Sequence, residues 1–199
     1  MFKSACRDRR SENRRAISAR INTCAQQLTD ERGLDGFTME DLATAAGVSR
    51  RTLFNYFPGK LDAVLGQWPD LDEADIATFR AGGPEHDLLA DLRTLLRPLL
   101  QSDLTQREDL ALGYRVVRSE PRLVAAMHQR HERVSEQIVE HIAVREGPDF
   151  EAHRARVAVN LLASIFDSAL QGALQDPLQR PVLFHFDHAT HTARSLLGS

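Results

Sequence analysis

An all-α fold is predicted for this chain of 199 residues, and three features of the sequence predict it. Apolar residues recur at helical spacing, as in Ile17, Ile21, Ala25 and Leu28 and again in Leu88, Leu92, Leu95 and Leu99. No window of four or more residues alternates apolar and polar side chains clearly enough for a strand. Gly and Pro punctuate the periodic stretches at 33–36, 47, 58–59, 81–84, 121, 147–148 and 177–181, which divides the chain into about nine helices.

Residues 1–14 read as a basic flexible tail, with Lys3, Arg7, Arg9, Arg10 and Arg14 ahead of the first apolar stripe, and 15–60 as a small domain. Its first helix ends at Gly33. Thr38 then stands directly before Met39, Leu42, Ala43 and Ala46, with Asp41 three residues on, the arrangement of a capping box, so a second helix starts there. It stops at Gly47, which accepts the left-handed backbone of a tight turn, and Ser49 offers its hydroxyl as the N-cap of a third helix. Ala43, Val48 and Leu53 fill the wedge between these helices, as in a helix-turn-helix. Arg50, Arg51, Thr52 and Asn55 occupy the outer N-terminal part of the third helix, where such donors reach base edges in a major groove. Tyr56 and Lys60 suit phosphate oxygens. An ordinary helical hairpin with solvated Arg residues satisfies the same spacing.

Charge divides the chain in the same sense. Over 1–60 there are 11 Lys and Arg against 7 Asp and Glu, net +4, while 61–199 holds 14 against 21, net −7. A basic front end is the electrostatic footprint of a phosphate-binding surface.

The run Gly36-Phe37-Thr38-Met39-Glu40-Asp41-Leu42-Ala43, then Ala46-Gly47-Val48-Ser49, Thr52-Leu53-Phe54 to Phe57, and Lys60 with Leu65 beyond, resembles the DNA-binding domain of TetR-family transcriptional regulators. The resemblance covers about residues 15–65. It implies a three-helix DNA-binding domain followed by a larger helical domain, 61–199, that binds a small molecule and dimerises. It also implies a phosphate contact from Thr38, base and backbone contacts from Ser49, Arg50, Arg51, Thr52, Asn55 and Tyr56, and a further contact from Lys60. Four features depart from the family's pattern. Phe54 lacks the hydroxyl of the usual Tyr, Thr29 replaces an aromatic, Asn22 and Gln26 stand at commonly apolar positions, and Gly59 and Leu61 leave the fourth helix poorly capped. With Thr29, Asn22 and Gln26 at those positions, the first helix is expected to pack more loosely or to rely on Leu28 and Phe37.

In the larger domain, the helix at about 151–175 is apolar over most of its circumference (Val157, Leu161, Leu162, Ile165, Phe166, Ala169, Leu170, Ala173, Leu174), so it needs cover on more than one side. One reading gives a second copy of the chain as that cover, with Ala169, Gly172 and Ala173 permitting close approach and the helix at about 182–198 alongside. The other makes it the centre of a monomeric bundle. An effector pocket is expected where polar groups interrupt apolar stripes, at Met127, His131, Asn160, Ser164 and Asp167. His131 is equally a hydrogen-bonded core residue on this evidence, and Asn160, Ser164, Asp167 and Gln171 equally a solvated stripe. Segment 115–172, with Arg115, Arg118 and Pro121, resembles the ligand domain of the mycofactocin-regulator-like subgroup, which implies an acyl-CoA-like effector.

Other chemistries have little foothold. His185, His188 and His191 lie three apart on a helix, so two could share a metal but three converge poorly; His131-Glu132 lacks a second His, because Ser135 stands there. GxSxG, GxxxxGK[ST] and GxGxxG do not occur. Cys6 and Cys24 read as reduced structural thiols, and no membrane span or secretory leader is expected, which places the protein in the cytoplasm. The sequence thus predicts a non-enzymatic, cofactor-free homodimer that binds a palindromic double-stranded DNA operator as a repressor and is released by a small apolar or amphipathic effector. The alternative is a small all-α carrier or enzyme binding an apolar metabolite in its C-terminal domain.

Overall fold

A computed structural model describes residues 2–68, 71–100 and 107–197. Among them there are helices and no strands: α1 (Phe2–Arg32), α2 (Met39–Ala45), α3 (Arg50–Tyr56), α4 (Lys60–Leu65), α5 (Glu73–Arg80), α6 (Leu88–Leu100), α7 (Arg107–Ser119), α8 (Pro121–Glu146), α9 (Ala152–Gln175) and α10 (Val182–Leu197). The described residues thus hold one helix more than expected. Gly66, at φ +72°, ends α4, and Asp72 caps α5 by accepting from the Ala74 N–H, so two helices stand where no break was read between 59 and 81.

The expected tail also differs. The backbone of 2–14 continues α1, a stretch without Gly or Pro and rich in Arg, which favours helix. Residue 1 of that tail and residue 198 of the expected last helix lie outside the described residues.

The chain forms two compact units. Unit 1 contains α1 to α4 and, unexpectedly, most of α7 and the first turns of α8 (Glu108–Met127). Its core is built on Ile21, Ala25, Leu42, Leu53, Phe57, Ala63 and Val64, joined by Val116 and Leu123. Two bidentate ion pairs hold the late segment in place: Arg115 donates to Asp30 at 3.1 and 2.7 Å, and Arg122 to Asp35 at 3.1 and 2.8 Å. Arg115 and Arg122 hold the Asp30 and Asp35 carboxyls below the ordinary carboxylate range. Arg115, placed in a ligand domain by resemblance, is therefore a fastener of unit 1.

Unit 2 contains α5, α6, the remainder of α8, α9 and α10. Phe79, Leu92, Leu95, Ile138, Ile142, Leu162, Ile165 and Phe186 form its core. α9 lays Ala155, Ala158, Val159, Leu162, Ile165, Ala169 and Ala173 into it. By length and composition alone α9 is the one described helix apolar enough to cross a membrane, with mean hydropathy 1.4 over its most apolar window. Its buried face packs along α10 and into the unit's core, as a core helix does.

The small residues of α9 also work differently from expectation. Ala169 and Ala173 are buried within unit 2, and a Cβ at Gly172 would lie 2.9 Å from Nδ1 of His185 on α10. They bring α9 against α10 of the same chain. The described outer face of α9 is exposed at Val157, Asn160, Ser164, Asp167, Ser168 and Gln171. Burial raises the Cys24 thiol, away from thiolate reactivity.

Candidate nucleic-acid interface

The helix-turn-helix is built by local rules. Thr38 caps α2: its hydroxyl accepts from the Asp41 N–H at 3.1 Å, while Asp41 accepts from the Thr38 N–H at 2.8 Å and its hydroxyl at 2.7 Å. These bonds hold the Asp41 carboxyl below its ordinary range, the Thr38 N–H contributing most. At the other end Gly47 sits at φ +62°, where its N–H donates to Thr44 O and the Val48 N–H to Ala43 O. Those two bonds are a Schellman closure, which consumes carbonyls a helix end otherwise leaves unpaired. Ser49 then caps α3 by accepting from the Thr52 N–H at 3.0 Å, with the Thr52 hydroxyl 2.8 Å from its own.

Inward, Leu53 is fully buried and Phe57 nearly so, which pins α3 to the body of the unit. Burying a side chain of this size stabilises by about 1.5–3 kcal/mol. Outward, Arg50, Arg51, Phe54 and Asn55 are exposed and Thr52 and Tyr56 half-buried. Arg50 lies 3.5 Å from Glu40 and over the Phe54 ring. Arg51 and Asn55, one helical turn apart, have no partner among the described residues and are the donors best placed for base edges. Phe54, noted in the sequence only for a missing hydroxyl, offers an exposed ring of the kind that meets thymine methyls.

Two expected phosphate contacts have other duties. The Lys60 ammonium donates to Leu34 O at 2.7 Å and Phe37 O at 2.8 Å and lies over the Phe37 ring, tying down the loop before α2. The Thr38 hydroxyl donates to Asp41, so the capping box must open before it donates to a phosphate.

A mount behind α3 was not foreseen. Asn22 Nδ2 donates to Ala63 O and Val64 O, both at 2.8 Å, and Gln26 Nε2 to Val64 O at 3.1 Å. These amides satisfy carbonyls at the C-terminus of α4. Thr29 donates to Ala25 O. Gln67 Nε2 donates to Tyr56 O at 3.0 Å, and Gln67 Oε1 accepts from the Ser18 hydroxyl at 3.1 Å, which links the last turn of α3 to α1. The residues expected to loosen α1 are buried and fully partnered; recurrence of Ser18, Asn22, Gln26 and Thr29 along one helical stripe was the available signal.

The five expected effector residues lie on α8 and α9. Asn160, Ser164 and Asp167 are exposed on α9, where Ser164 donates to Asn160 O and Gln171 to Asp167. This polar stripe faces solvent because the opposite, Ala-rich side of α9 fills the core. Met127 and His131 are half-buried on α8, with the Ser135 hydroxyl 3.4 Å from His131 Nε2. None of the five lines the two cavities described in unit 2. One is about 20 Å³, between Leu89, Leu161, Thr190 and Arg194; the other, about 210 Å³, is lined by Asp75, Thr78, Phe79, Pro84, Asp91, Thr94 and Leu95. Both are below the roughly 300 Å³ at which sites for drug-sized ligands begin. Among the described residues no group of three His, Cys, Asp or Glu is disposed to hold a metal.

Residues 23–64, from α1 through α4, match the family described as bacterial regulatory proteins, tetR family. Over α1 to α4 the chain is thus similar to that family. It is 24% identical over 187 residues to the nucleoid occlusion factor SlmA of Photobacterium profundum, covering 89% of this chain and 93% of that protein. A crystal structure of a protein assigned to the TetR-family transcriptional regulators of Mesorhizobium loti MAFF303099 is similar at 19% identity and a TM-score of 0.49, over 92% of this chain and 95% of that one. The matched stretch holds the helix-turn-helix and with it α3.

Proposed function

We infer that this regulator is a repressor that binds a palindromic operator as a homodimer and is released by a small effector bound in unit 2. The observation that carries the reading is the two-sidedness of α3: Leu53 and Phe57 fix it from behind while Arg51 and Asn55 face outward unpaired. One such helix reads too few bases for genomic selectivity, and two of them about 34–36 Å apart read a palindrome. The outer face of α9 and α10, with Val157, Phe184, His188 and His191 exposed, supplies a surface for the second copy. The subgroup resemblance suggests an amphipathic, acyl-CoA-like effector, which needs a wider cavity than those described; binding therefore selects a more open state of unit 2. A regulator of this kind acts where the chromosome is, in the cytoplasm.

A gel-shift assay with fragments flanking the gene tests the reading. Sequence-dependent, salt-sensitive retardation is expected, with base preference relaxed by Arg51→Ala at a cost of about 1–3 kcal/mol. Retardation without sequence preference overturns it. Thr38, Ser49, Arg50, Thr52, Asn55, Tyr56 and Lys60 are proposed as the accompanying contacts, Lys60 with the one ammonium hydrogen its two carbonyls leave over. A thermal-shift screen of metabolites tests the effector, since a ligand selective for the native state raises Tm by mass action.

A further inference from the structure

We propose that the N-terminal stretch of α1 is a second DNA-contacting element, a basic rod that lies along the phosphate backbone beside the groove entered by α3. This rests on the reading of α3 as a DNA probe. Charge is the first ground. Residues 1–15 hold six Lys and Arg against two Asp and Glu, net +4, while residues 16–60 hold five of each. The helix-turn-helix is therefore neutral, and the whole positive excess of the front end sits on the leading segment. Phosphate neutralisation supplies essentially all sequence-independent affinity for DNA, so a neutral reading head needs it from elsewhere.

The reading head is also short of free cations. Arg50 is paired with Glu40, and Lys60 is held by two carbonyls. Arg14, by contrast, is exposed and lies with its guanidinium 5.8 Å from the centre of the Tyr56 ring, at the C-terminal end of α3. The basic segment thus adjoins the recognition helix. From Arg14 the α1 backbone continues to Phe2, a run of roughly 18 Å at 1.5 Å per residue. That length spans about five phosphates of one strand at 3.4 Å each. Between Lys3 and Arg15 only Ala5 and Cys6 are apolar, a polar and basic composition throughout.

The test is the salt dependence of binding, measured by fluorescence anisotropy on a duplex that the wild-type protein selects from a random-sequence pool. The triple variant Arg9→Gln, Arg10→Gln, Arg14→Gln keeps helix-favouring side chains. It is expected to lower the slope of log K against log salt by about 2–3, at about 0.9 per lost phosphate contact, with the selected sequence still preferred. Arg9→Lys, Arg10→Lys, Arg14→Lys is expected to restore the slope, which a merely structural role for arginine does not do. A triple Gln variant with the wild-type slope overturns the inference. So does an unchanged slope accompanied by loss of binding to phosphatidylglycerol vesicles, which reassigns the rod to a membrane surface. If the wild type selects no sequence from the pool, the reading of α3 fails first and takes this inference with it.

Discussion

Unit 1 buries neutral polar side chains, and unit 2 buries ions. Behind α3, Asn22, Gln26 and Thr29 spend their hydrogens on backbone carbonyls. In unit 2, Arg145 is 4% exposed and Asp91 fully buried, joined at 2.7 Å; Arg145 also reaches Phe79 O, Gly82 O and Gly83 O, and Asp91 accepts from the Glu85 N–H. Asp176 is buried likewise and accepts from Arg180 and from the Leu178 N–H. Amides finish helix ends without adding charge to the unit. Ion pairs instead tie whole loops, 81–87 and 176–181, onto their helices. The units differ in titration as well: all eight histidines lie outside unit 1.

Asp91→Ala attacks the contrast most strongly. It takes the buried carboxylate from Arg145, which keeps Glu146 and three carbonyls, and frees the Glu85 N–H, so a cost of about 3 kcal/mol, the low end for breaking a buried pair, is expected. Hydrogen-exchange mass spectrometry reads it as lost protection in α5, α6 and the end of α8; a loss under about 1 kcal/mol erases the distinction. Asn22→Leu is expected to cost about 1–3 kcal/mol by removing the amide from the Ala63 carbonyl and leaving Val64 O to Gln26 alone, with faster exchange in α4 and weaker operator binding. Protection unchanged in α4 removes the amides from the mount. Gly172→Ala comes next, since its Cβ pushes on the His185 ring. Overpacking of about 1–3 kcal/mol is offset by about 0.5–1 kcal/mol of helix gain, so thermal denaturation shows a drop of a few degrees.

The smallest effect is pH. Burial, and then Arg80, lower the pKa of His141, whose Nδ1 accepts from Arg80 at 3.0 Å. The folded state binds fewer protons than the unfolded chain, so stability falls as pH drops through the ordinary histidine value near 6.5. Between about pH 7.5 and 5.5 the urea midpoint followed by ellipticity is expected to fall slightly, while that of Trp68, the single tryptophan and a member of unit 1, stays put. His141→Gln flattens the ellipticity curve. Equal movement of both probes contradicts separate titration.

Much of unit 1 was legible because its determinants are local. The Thr38–Asp41 box, the Gly47 turn and the Ser49 cap lie within a few residues of their partners. What escaped was long-range. Arg115 meets Asp30 and Arg122 meets Asp35 more than eighty positions away, and no periodicity announces such pairs. Asn22 looked out of place because the carbonyls it serves belong to α4. The α9 stripe was ambiguous, since composition gives the faces of a helix but not which one the core takes.

The grip on α3 is exerted on its main chain and its two apolar anchors: Gln67 holds the carbonyl of Tyr56, and Leu53 and Phe57 fill the core. Positions 51 and 55 take no part in that grip. On the proposed reading of DNA by α3, base preference is therefore free to drift by single substitutions during evolution without disturbing docking, and a designer wishing to redirect the protein to a new promoter has two adjacent sites that are independent of the scaffold.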